Sequence, residues 1–392
     1  MSDLTAGVVA TSRKPDERRL AIHPAHLERI DAGVRERLFL ERGYGERFGA
    51  SDDVLAPLVA GLLAREELLA SCDVIVLPKP LAADLQTLRH GQVVWGWPHC
   101  VQDERMTQAA IDRGLTLIAW EAMNHWTSEG HFSVHVFHKN NEIAGYCSVL
   151  HALGLRGTTG DYGRRLRAAV ISFGATARGA VRALLALGIS EVTVLTQRST
   201  AAVASPFASV VLQQFERDPA DPTRTLILKD PEPGPLVEVL AGYDVIVNCI
   251  LQDTDRPLVF VMDEDLRHFA PGTLFVDVSC DEGMGFEWAR PTSFAAPLAE
   301  VGRGVHYYAV DHSPSFLWNS ATWENSEALL EYLPVVMAGP DAWDGQETIR
   351  RAIEIRDGVI QNPRILSFQR RAAAYPHEVA STRGLGNADR QA

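Results

Sequence analysis

The sequence predicts an α/β protein built on parallel β-sheets. Short runs of β-branched residues alternate with segments of helical length along most of the 392 residues, and this alternation is typical of parallel βαβ units. One such run, within 169–181, passes through a glycine turn directly into a helix. At roughly 150 residues per domain, the length predicts two or three domains.

The composition excludes several classes of protein. Apolar residues make up 46% of the chain and charged residues 22%, which indicates a folded globular protein rather than a disordered one. The net charge of −13 repels nucleic acid and anionic membranes, so we expect neither partner. No apolar stretch approaches the roughly 20 residues that cross a bilayer, and the first residues do not resemble a signal peptide. We therefore expect a cytoplasmic protein with reduced cysteines.

Ten apolar, β-branched segments have the character of buried strands. In the first part of the chain we predict strands at 7–11, 37–41, 73–77, 92–96 and 115–119. A helix is predicted to begin near Asn140 or Asn141, since either residue can cap its first N–H groups. Beyond that helix we predict strands at 167–173, 191–196, 244–249, 273–279 and 306–310.

The clearest local signal is the strand, glycine turn and helix within 169–181, which is the context that a dinucleotide site requires. We expect Gly174 to allow the sharp turn and Gly179 to allow close packing of the helix on the strand. The helix N-terminus would present free N–H groups to a pyrophosphate. The predicted cofactor-binding residues of this loop are Gly174, Ala175, Thr176, Ala177, Arg178 and Gly179. Thr176 stands where the usual fingerprint has its middle glycine, so a purely structural turn is the alternative.

The segment after the second strand of this unit bears on the choice of cofactor. NAD-binding units usually end this strand in a carboxylate that binds the ribose hydroxyls, whereas this strand is followed by Gln197, Arg198 and Ser199. An arginine with the two hydroxyl residues that follow it can hold a 2′-phosphate through charge-assisted hydrogen bonds. The sequence therefore favours NADP(H), with NAD(H) left open and a solvated surface role for Arg198 as the alternative.

Four other segments lie just beyond predicted strands, at the edge where open α/β sheets bind ligands. Arg18 and Arg19 lie in a basic loop after the first strand, and an arginine there can bind a carboxylate through two hydrogen bonds. Lys79 lies between two prolines, and His99 lies among aromatic residues; both side chains can transfer protons. Asp281 follows a strand whose end should face the nicotinamide. Taken singly, each is also explained as a surface charge, a core histidine or a turn aspartate.

Three histidines raise the question of a metal site. His131, His135 and His138 would share one face of a helix. The valines and the phenylalanine between them favour an extended segment instead, which would separate the three rings. We therefore predict no metal site.

Together, these segments resemble the alanine dehydrogenase and pyridine nucleotide transhydrogenase superfamily, in particular its imino-acid reductase branch. The resemblance covers most of the chain and is carried, in order, by 17–24, Lys79, 91–99, 144–146, the Gly174 loop, 243–248, 276–281 and 310–315. Within the branch, 96–99 and 357–369 are similar to N5-(carboxyethyl)ornithine synthase. The segment 311–315 is closer to saccharopine dehydrogenase, so the substrate stays open.

The resemblance implies an architecture of two Rossmann-like domains with a cleft between them. The first, a catalytic and substrate domain, is discontinuous and comprises 1–140 plus 311–392. The second, 141–310, is the dinucleotide-binding domain. The resemblance also implies a homodimer or a larger assembly.

The resemblance further assigns roles to single residues. Arg19 would bind the substrate carboxylate, with Arg18 as the second choice because the family pattern places its arginine two residues after the glutamate. Lys79 and His99 correspond to the family's catalytic pair, one polarising the oxo acid while the other transfers protons. Asp281 matches the acidic residue after the fifth strand of the cofactor domain, and we place it among the substrate-binding residues.

The sequence thus predicts an NADPH-dependent oxidoreductase that reduces the imine formed between a 2-oxo acid and the amine of an amino acid. One alternative is an amino-acid dehydrogenase similar to alanine dehydrogenase, which needs no pocket for a second amino acid. The other is a non-catalytic protein that binds a cofactor or an amino acid, which the substitution at Thr176 favours. The expected partners are small molecules in every case.

Overall fold

The computed structural model describes residues 4–199, 207–229, 231–253 and 256–380. The chain divides into two compact units: Met1–Phe137 with Thr322–Ala392, and His138–Ala321. The predicted α/β class with a discontinuous first domain is therefore confirmed. The second boundary falls inside a helix, Trp318–Leu330, rather than before the loop at 311.

Strands and helices alternate through most of the described residues. The strands, in chain order, are β1 (Ala6–Val8), β2 (Leu38–Glu41), β3 (Gly61–Leu63), β4 (Val74–Val76), β5 (Val93–Gly96), β6 (Thr116–Ala119), β7 (Asn124–Trp126), β8 (Phe132–His135), β9 (Arg167–Ile171), β10 (Glu191–Thr196), β11 (Val210–Arg217), β12 (Thr225–Ile227), β13 (Gly234–Pro235), β14 (Val245–Asn248), β15 (Val259–Val261), β16 (Leu274–Asp277), β17 (Gly285–Phe286), β18 (Leu298–Val301), β19 (Val305–Tyr308), β20 (Ile353–Arg356) and β21 (Val359–Ile360). The α-helices are α1 (Ala32–Arg35), α2 (Asp52–Leu55), α3 (Arg65–Ser71), α4 (Ala82–Leu85), α5 (Glu104–Asp112), α6 (His138–Leu155), α7 (Ala175–Ala186), α8 (Leu236–Leu240), α9 (Trp318–Leu330), α10 (Leu333–Ala338), α11 (Pro340–Gly345), α12 (Glu347–Ala352) and α13 (Pro363–Gln369). Short 3-10 helices occupy Pro24–Arg29, Glu46–Phe48, Ala56–Leu58, Trp120–Ala122, Asp263–His268 and Ser313–Leu317.

The first unit contains a sheet with the strand order β21-β20-β6-β5-β4-β1-β2-β3. The strands from β1 to β6 are parallel to their neighbours, and β20 and β21 add antiparallel pairs at one edge. β1, β4 and β5 are buried at every position, which explains their continuous apolar sequences. The segments that follow β1, β4, β5 and β6 therefore meet at one side of the sheet, which we call the carboxyl edge.

The second unit contains a sheet with the strand order β13-β12-β11-β10-β9-β14-β16-β19-β18. Its parallel part runs β11-β10-β9-β14-β16-β19. This is the 3-2-1-4-5-6 order of a dinucleotide-binding sheet. The parallel part of the first sheet has the same order, so both units are Rossmann-like.

Helices α6 and α7 of the second unit pack with their backbones in close approach. A Cβ atom on Gly179 would lie 1.7 Å from Glu142 O, and one on Gly145 would lie 1.9 Å from Thr176 O. Any side chain at either position would therefore force the helices apart. We predicted that Gly179 allows α7 to pack closely on the preceding strand. The element that it approaches is helix α6 instead.

The ten predicted strands are all present, with small shifts at their ends. The strands that the sequence did not indicate are mainly edge and hairpin strands, such as β3, β11 to β13, β20 and β21. The predicted helix near Asn140 begins slightly earlier, at His138. None of the helices in the described parts of the chain is long and apolar enough to cross a membrane.

Candidate active site

Two of the predicted catalytic residues are in contact at the carboxyl edge of the first sheet. Lys79 follows β4 and His99 follows the neighbouring strand β5, and Lys79 Nζ lies 2.7 Å from His99 Nε2. This hydrogen bond forms with an ammonium donating to a neutral ring or with an imidazolium donating to a neutral amine. The pair can therefore hold one proton in either of two places, which is the property that proton transfer requires.

Close backbone contacts hold the two loops together. A Cβ atom on Gly96 would lie 1.9 Å from Leu77 O, so only glycine allows β5 to end this near the loop that carries Lys79. Trp97 N donates to Pro78 O at 2.9 Å. His99 itself has a left-handed backbone, with φ 49°, which is uncommon for a non-glycine residue and frequent near functional sites.

Glu121 is part of this cluster and was not predicted from the sequence. It follows β6, and its Oε1 accepts a hydrogen bond of 2.6 Å from His99 N and lies 3.9 Å from His99 Nδ1. Burial, and secondly the nearby charge of Glu354, raise the pKa of Glu121 to about 8. Its Oε2 is buried without a hydrogen-bond partner among the described residues. The signal that could have found Glu121 is its position just beyond the predicted strand 115–119.

Glu354 brings a buried carboxyl group near Glu121, whose own side chain is 28% exposed. It lies in β20, which pairs with β6, and its residue is 6% exposed. Asn362 Nδ2 donates to Glu354 Oε2 at 2.7 Å. Burial raises the pKa of Glu354 to about 7. Two carboxyl groups that both resist ionisation thus lie behind the Lys79–His99 pair.

Arg19 is buried against Trp97, which lies two residues before His99 in the chain. Its Nε donates to Glu17 Oε1 at 2.8 Å and its Nη2 to Glu17 Oε2 at 2.5 Å. Its guanidinium carbon lies 4.8 Å from the centre of the Trp97 ring. Glu17 and Trp97 therefore fix the plane of the guanidinium. Arg18, the second choice, has a side chain that is 55% exposed.

The first unit lacks the phosphate turn of a dinucleotide site although its strand order is the same. The segment after β1 contains no glycine between 9 and 18. Glu41, which ends β2 where such folds place a ribose-binding carboxylate, instead accepts hydrogen bonds from Ala10 N, Thr11 N and Thr11 Oγ1 at 2.7 to 2.9 Å. Glu41 thus fixes the loop that follows β1 and is not available for a ribose.

In the second unit, the predicted phosphate loop lies between β9 and α7. Gly174 has φ −80°, and a Cβ atom placed on it would have no neighbour nearer than Ser172 Oγ at 4.0 Å. The prediction that Gly174 makes the sharp turn is therefore wrong, because the left-handed residue is Ser172, with φ 85°. The missing side chain leaves the approach to the helix open instead.

The same loop fits a pyrophosphate. The first helical residues are Ala175, Thr176 and Ala177. Gly174 is the N-cap residue, and among the described residues no side-chain hydrogen bond caps this end of the helix. The helix has 12 residues, so its N-terminus offers a dipole end and free donors to an anion. The guanidinium carbon of Arg178 lies 4.7 Å from the centre of the ring of Phe173, the residue just before Gly174.

The residues after β10 are exposed and turn toward this loop. Gln197, Arg198 and Ser199 all lie at the surface. Arg198 Nη2 donates to Phe173 O at 3.4 Å, so its guanidinium reaches back to the turn that follows β9. Gln197 O accepts a hydrogen bond of 3.4 Å from Gln214 Nε2. The predicted cofactor residues therefore share one carboxyl edge, as Lys79, His99 and Arg19 share the other.

Asp281 lies at the carboxyl edge of the second sheet, in the turn after β16. Burial raises its pKa to about 6. Asp277, four residues earlier, is fully buried, and burial raises its pKa to about 7 against the hydrogen bonds that it accepts.

The described residues contain no group of three or more His, Cys, Asp or Glu side chains that could hold a metal ion. His135 ends β8, which has the extended backbone that the sequence predicted for this segment. His135 Nε2 lies 3.2 Å from Glu121 O.

Comparisons with known proteins agree with this architecture. The N-terminal and C-terminal domain models of the alanine dehydrogenase/PNT family match residues 7–144 and 164–363. The N(5)-(carboxyethyl)ornithine synthase of Clostridium botulinum is 24% identical over 329 residues, covering 81% of this chain and 90% of that protein. The alanine dehydrogenase of Mycobacterium tuberculosis is 25% identical over 336 residues, covering 83% of this chain and 85% of that protein.

Solved structures show the same fold. The structure titled L-alanine dehydrogenase has a TM-score of 0.70 at 19% identity and covers 93% of this chain and 99% of its own. The transhydrogenase from Sinorhizobium meliloti has a TM-score of 0.67 at 19% identity, with coverages of 92% and 99%. The matched domains span most of the chain and contain both carboxyl edges. This chain therefore belongs to the alanine dehydrogenase/PNT family and is a nicotinamide-dependent oxidoreductase that acts on C–N bonds.

Proposed function

We propose that this enzyme uses NADPH to reduce the imine formed between a 2-oxo acid and the amine of an amino acid. The observation that carries the proposal is the 2.7 Å contact between Lys79 Nζ and His99 Nε2, with the guanidinium of Arg19 held nearby over Trp97. A cation for a carboxylate and a proton-exchanging pair are the two elements that imine formation from an oxo acid requires.

The Lys79–His99 pair transfers the protons in this reaction. The amine nitrogen attacks the oxo carbon, a C–N bond forms, and the carbonyl oxygen takes a proton from the Lys79–His99 pair. The pair then receives the proton that leaves the nitrogen and delivers one to the hydroxyl, which departs as water. Loss of water leaves an iminium, whose nitrogen keeps its one proton. A reduced nicotinamide, when bound, would supply the hydride that converts this iminium to the secondary amine, with no further proton needed.

Arg19 and Asp281 bind and orient in this scheme. Arg19 binds the carboxylate of the oxo acid, with its guanidinium plane fixed by Glu17 and Trp97. Asp281 orients the cofactor ribose or the substrate amine. The loop Gly174–Gly179 binds the pyrophosphate through the first N–H groups of α7.

NADPH is proposed over NADH because of Arg198. Among the three residues that follow β10 there is no carboxylate to bind ribose hydroxyls or to repel a 2′-phosphate. The Arg198 guanidinium reaches Phe173 O, so it stands beside the loop that receives the rest of the cofactor. A charge-assisted hydrogen bond to the 2′-phosphate follows from that position.

A simple amino-acid dehydrogenase is the second candidate. The relatives named alanine dehydrogenase match this chain at 22% to 25% identity, close to the 24% of the carboxyethylornithine synthases. One arginine and one proton-exchanging pair also suffice when ammonia is the amine. The two candidates differ only in whether a second amino acid is bound.

A matrix of substrates tests the proposal. Oxidation of NADPH and of NADH would be followed by absorbance with pyruvate, glyoxylate and 2-oxoglutarate, each against ornithine, lysine and ammonia. Turnover that requires both an oxo acid and a diamino acid supports the proposal, whereas turnover with ammonia alone supports the second candidate. The His99→Ala variant should lose this turnover, and the matched His90→Ala variant, at an exposed histidine, should keep it.

A third outcome would reject both candidates. Cofactor binding without turnover over the whole matrix would identify the chain as a non-catalytic protein that binds nucleotide or amino acid.

A further inference from the structure

A fully buried carboxylate lies directly behind the turn that carries Asp281. Asp277 ends β16 and has no exposed surface. Its Oδ1 accepts hydrogen bonds from Asn248 Nδ2 at 3.0 Å and from Cys280 N at 3.1 Å, and its Oδ2 accepts one from Tyr307 Oη at 2.8 Å. Because it is fully buried, Asp277 can act only through its neighbours.

The donors come from three neighbouring parts of the second unit. Asn248 ends β14, Tyr307 lies in β19, and Cys280 lies in the turn after β16. Tyr307 Oη also accepts a hydrogen bond of 3.3 Å from Arg290 N. A buried charge costs stability unless hydrogen bonds compensate it. The three donors supply part of that compensation, since burial still raises the pKa of Asp277, and they fix the carboxyl group in one orientation.

The link to Asp281 runs through Cys280. Cys280 has a left-handed backbone, with φ 46°, a conformation that non-glycine residues disfavour. Its N–H group donates to Asp277 Oδ1, so the carboxylate holds the turn in this conformation. Asp281 is the next residue, and the direction in which its side chain leaves the backbone depends on the dihedral angles of Cys280.

We infer that Asp277 is a positioning residue, whose carboxylate holds Cys280 in the left-handed conformation and thereby aims the side chain of Asp281. The inference rests on the role proposed above for Asp281. It explains why a carboxylate is kept in a core position between β14 and β19, where an apolar residue would avoid the cost of burying a charge.

A double-mutant cycle tests this inference. Asp277→Ala removes both acceptor oxygens, and with them the acceptor of the Cys280 N–H group, so it should lower kcat by roughly 10- to 100-fold. KM for the cofactor and for the amine should change in the same direction as in Asp281→Asn, since Asp277 acts through Asp281. The Asp277→Ala/Asp281→Asn variant should be no slower than Asp281→Asn alone, for the same reason. Losses that multiply in the double variant would overturn the inference.

A control variant separates positioning from general damage. Tyr308→Phe removes a buried hydroxyl from the same strand β19, where it lies 3.1 Å from His151 Nδ1 and not in the Asp277 network. It should leave kcat within about threefold of the parent while its melting temperature reports the cost of a lost buried hydrogen bond. If Tyr308→Phe lowers kcat as much as Asp277→Ala, the effect is general destabilisation and the inference fails.

A measurement without turnover tests the geometry directly. Cys280 is partly exposed, whereas Cys72, Cys100, Cys147 and Cys249 are buried. Loss of the tether should loosen the turn and raise the rate at which an aromatic disulfide reagent labels Cys280 in Asp277→Ala, by roughly fivefold or more. An unchanged labelling rate would overturn the tether.

The two measurements also distinguish this inference from the proposed function. If Asp281→Asn keeps full activity, the role proposed for Asp281 is rejected, and the catalytic part of the inference is rejected with it. Faster labelling of Cys280 in Asp277→Ala would in that case still establish the tether. If Asp281→Asn is impaired but Asp277→Ala is not, the proposed function stands and the positioning role fails.

Discussion

Lys79 Nζ and His99 Nε2 lie 2.7 Å apart, although the two residues are 20 positions apart in the sequence. Each follows one of two neighbouring parallel strands, and Gly96 allows the strand ends to approach. Neither side chain needs to move far to pass a proton to the other. The pair therefore works as one proton-exchanging group.

The first prediction concerns this pair. Lys79→Met and His99→Gln should each lower kcat by roughly 100- to 10,000-fold, because each removes one partner of a shared proton. The double variant should be little slower than either single variant, since residues that act as a unit lose their effect together. Steady-state kinetics with the substrates from the screen would measure this, with His90→Gln as the matched control. Independent losses would show that the two side chains act separately.

The second prediction concerns the pH profile and Glu121. Above its pKa of about 8, Glu121 carries a negative charge 3.9 Å from His99 Nδ1, which favours the protonated form of the Lys79–His99 pair. Glu121→Gln removes that charge, so the apparent pKa on the alkaline side of the kcat/KM profile should fall by about 1 unit. Profiles of kcat/KM measured between roughly pH 5.5 and 10 would show the shift, because that range includes both limbs of the profile. Identical alkaline limbs would show that Glu121 does not act on the pair.

The third prediction concerns stability and Glu354. Because burial raises its folded pKa to about 7 from the ordinary value of 4.5, the folded chain binds a proton in this window that the unfolded chain releases. The free energy of unfolding therefore falls as pH rises from about 4.5 through about 7. Glu354→Gln should remove this dependence on pH. The change that it causes in the free energy of unfolding should therefore be more stabilising at pH 8 than at pH 4.5, by roughly 1 to 3 kcal/mol. Denaturant unfolding at the two pH values would measure it. An equal effect at both values would contradict the raised pKa.

The fourth prediction concerns the cofactor. Arg198→Gln should raise KM for NADPH by roughly 10-fold or more and change KM for NADH little, because only NADPH carries the 2′-phosphate that the guanidinium would bind. The matched control is Arg182→Gln, which removes an arginine that is 53% exposed and paired with Glu142 on the outside of α7. A variant that lost affinity for both cofactors equally would place Arg198 elsewhere than at the 2′-phosphate.

The fifth prediction concerns the close packing of α6 and α7. Gly179→Ala would place a Cβ atom 1.7 Å from Glu142 O, so the helices must separate, and the loss should be roughly 2 to 4 kcal/mol. The matched control is Gly154→Ala on α6, where a Cβ atom would meet nothing within 4 Å. It should stabilise the chain by roughly 0.5 kcal/mol, because alanine favours a helix. Thermal unfolding would compare the two. A neutral Gly179→Ala would show that the helices do not pack this closely.

The buried parallel strands could be predicted because their side chains are covered on both faces. Such strands appear as continuous apolar runs, as at Val74–Val76 and Leu274–Asp277. Strands with partly exposed faces could not, because their residues are mixed: β11, for example, pairs with a strand on each side but is largely exposed or half-buried and contains Gln213, Gln214 and Glu216. Their extended backbone depends on hydrogen bonds to a neighbouring strand rather than on local sequence.

The candidate site divides in the same way. Residues just beyond predicted strands, such as Lys79, His99 and Asp281, could be proposed from the sequence because the carboxyl ends of parallel strands carry ligand sites. The reach of Arg198 back to Phe173 O could not.

The sequence by itself determined the alternation of strands and helices, the chain positions of the functional side chains and the family. These depend on local patterns of apolar residues and on residue types at strand ends. Only the tertiary structure decided that Glu121 and Glu354, which are far apart in the chain, influence one another behind the Lys79–His99 pair. Only it decided that Gly179 faces a helix and that Asn248 and Tyr307 donate hydrogen bonds to Asp277. Contacts of this kind arise when distant segments pack together, and no local pattern of residues encodes them.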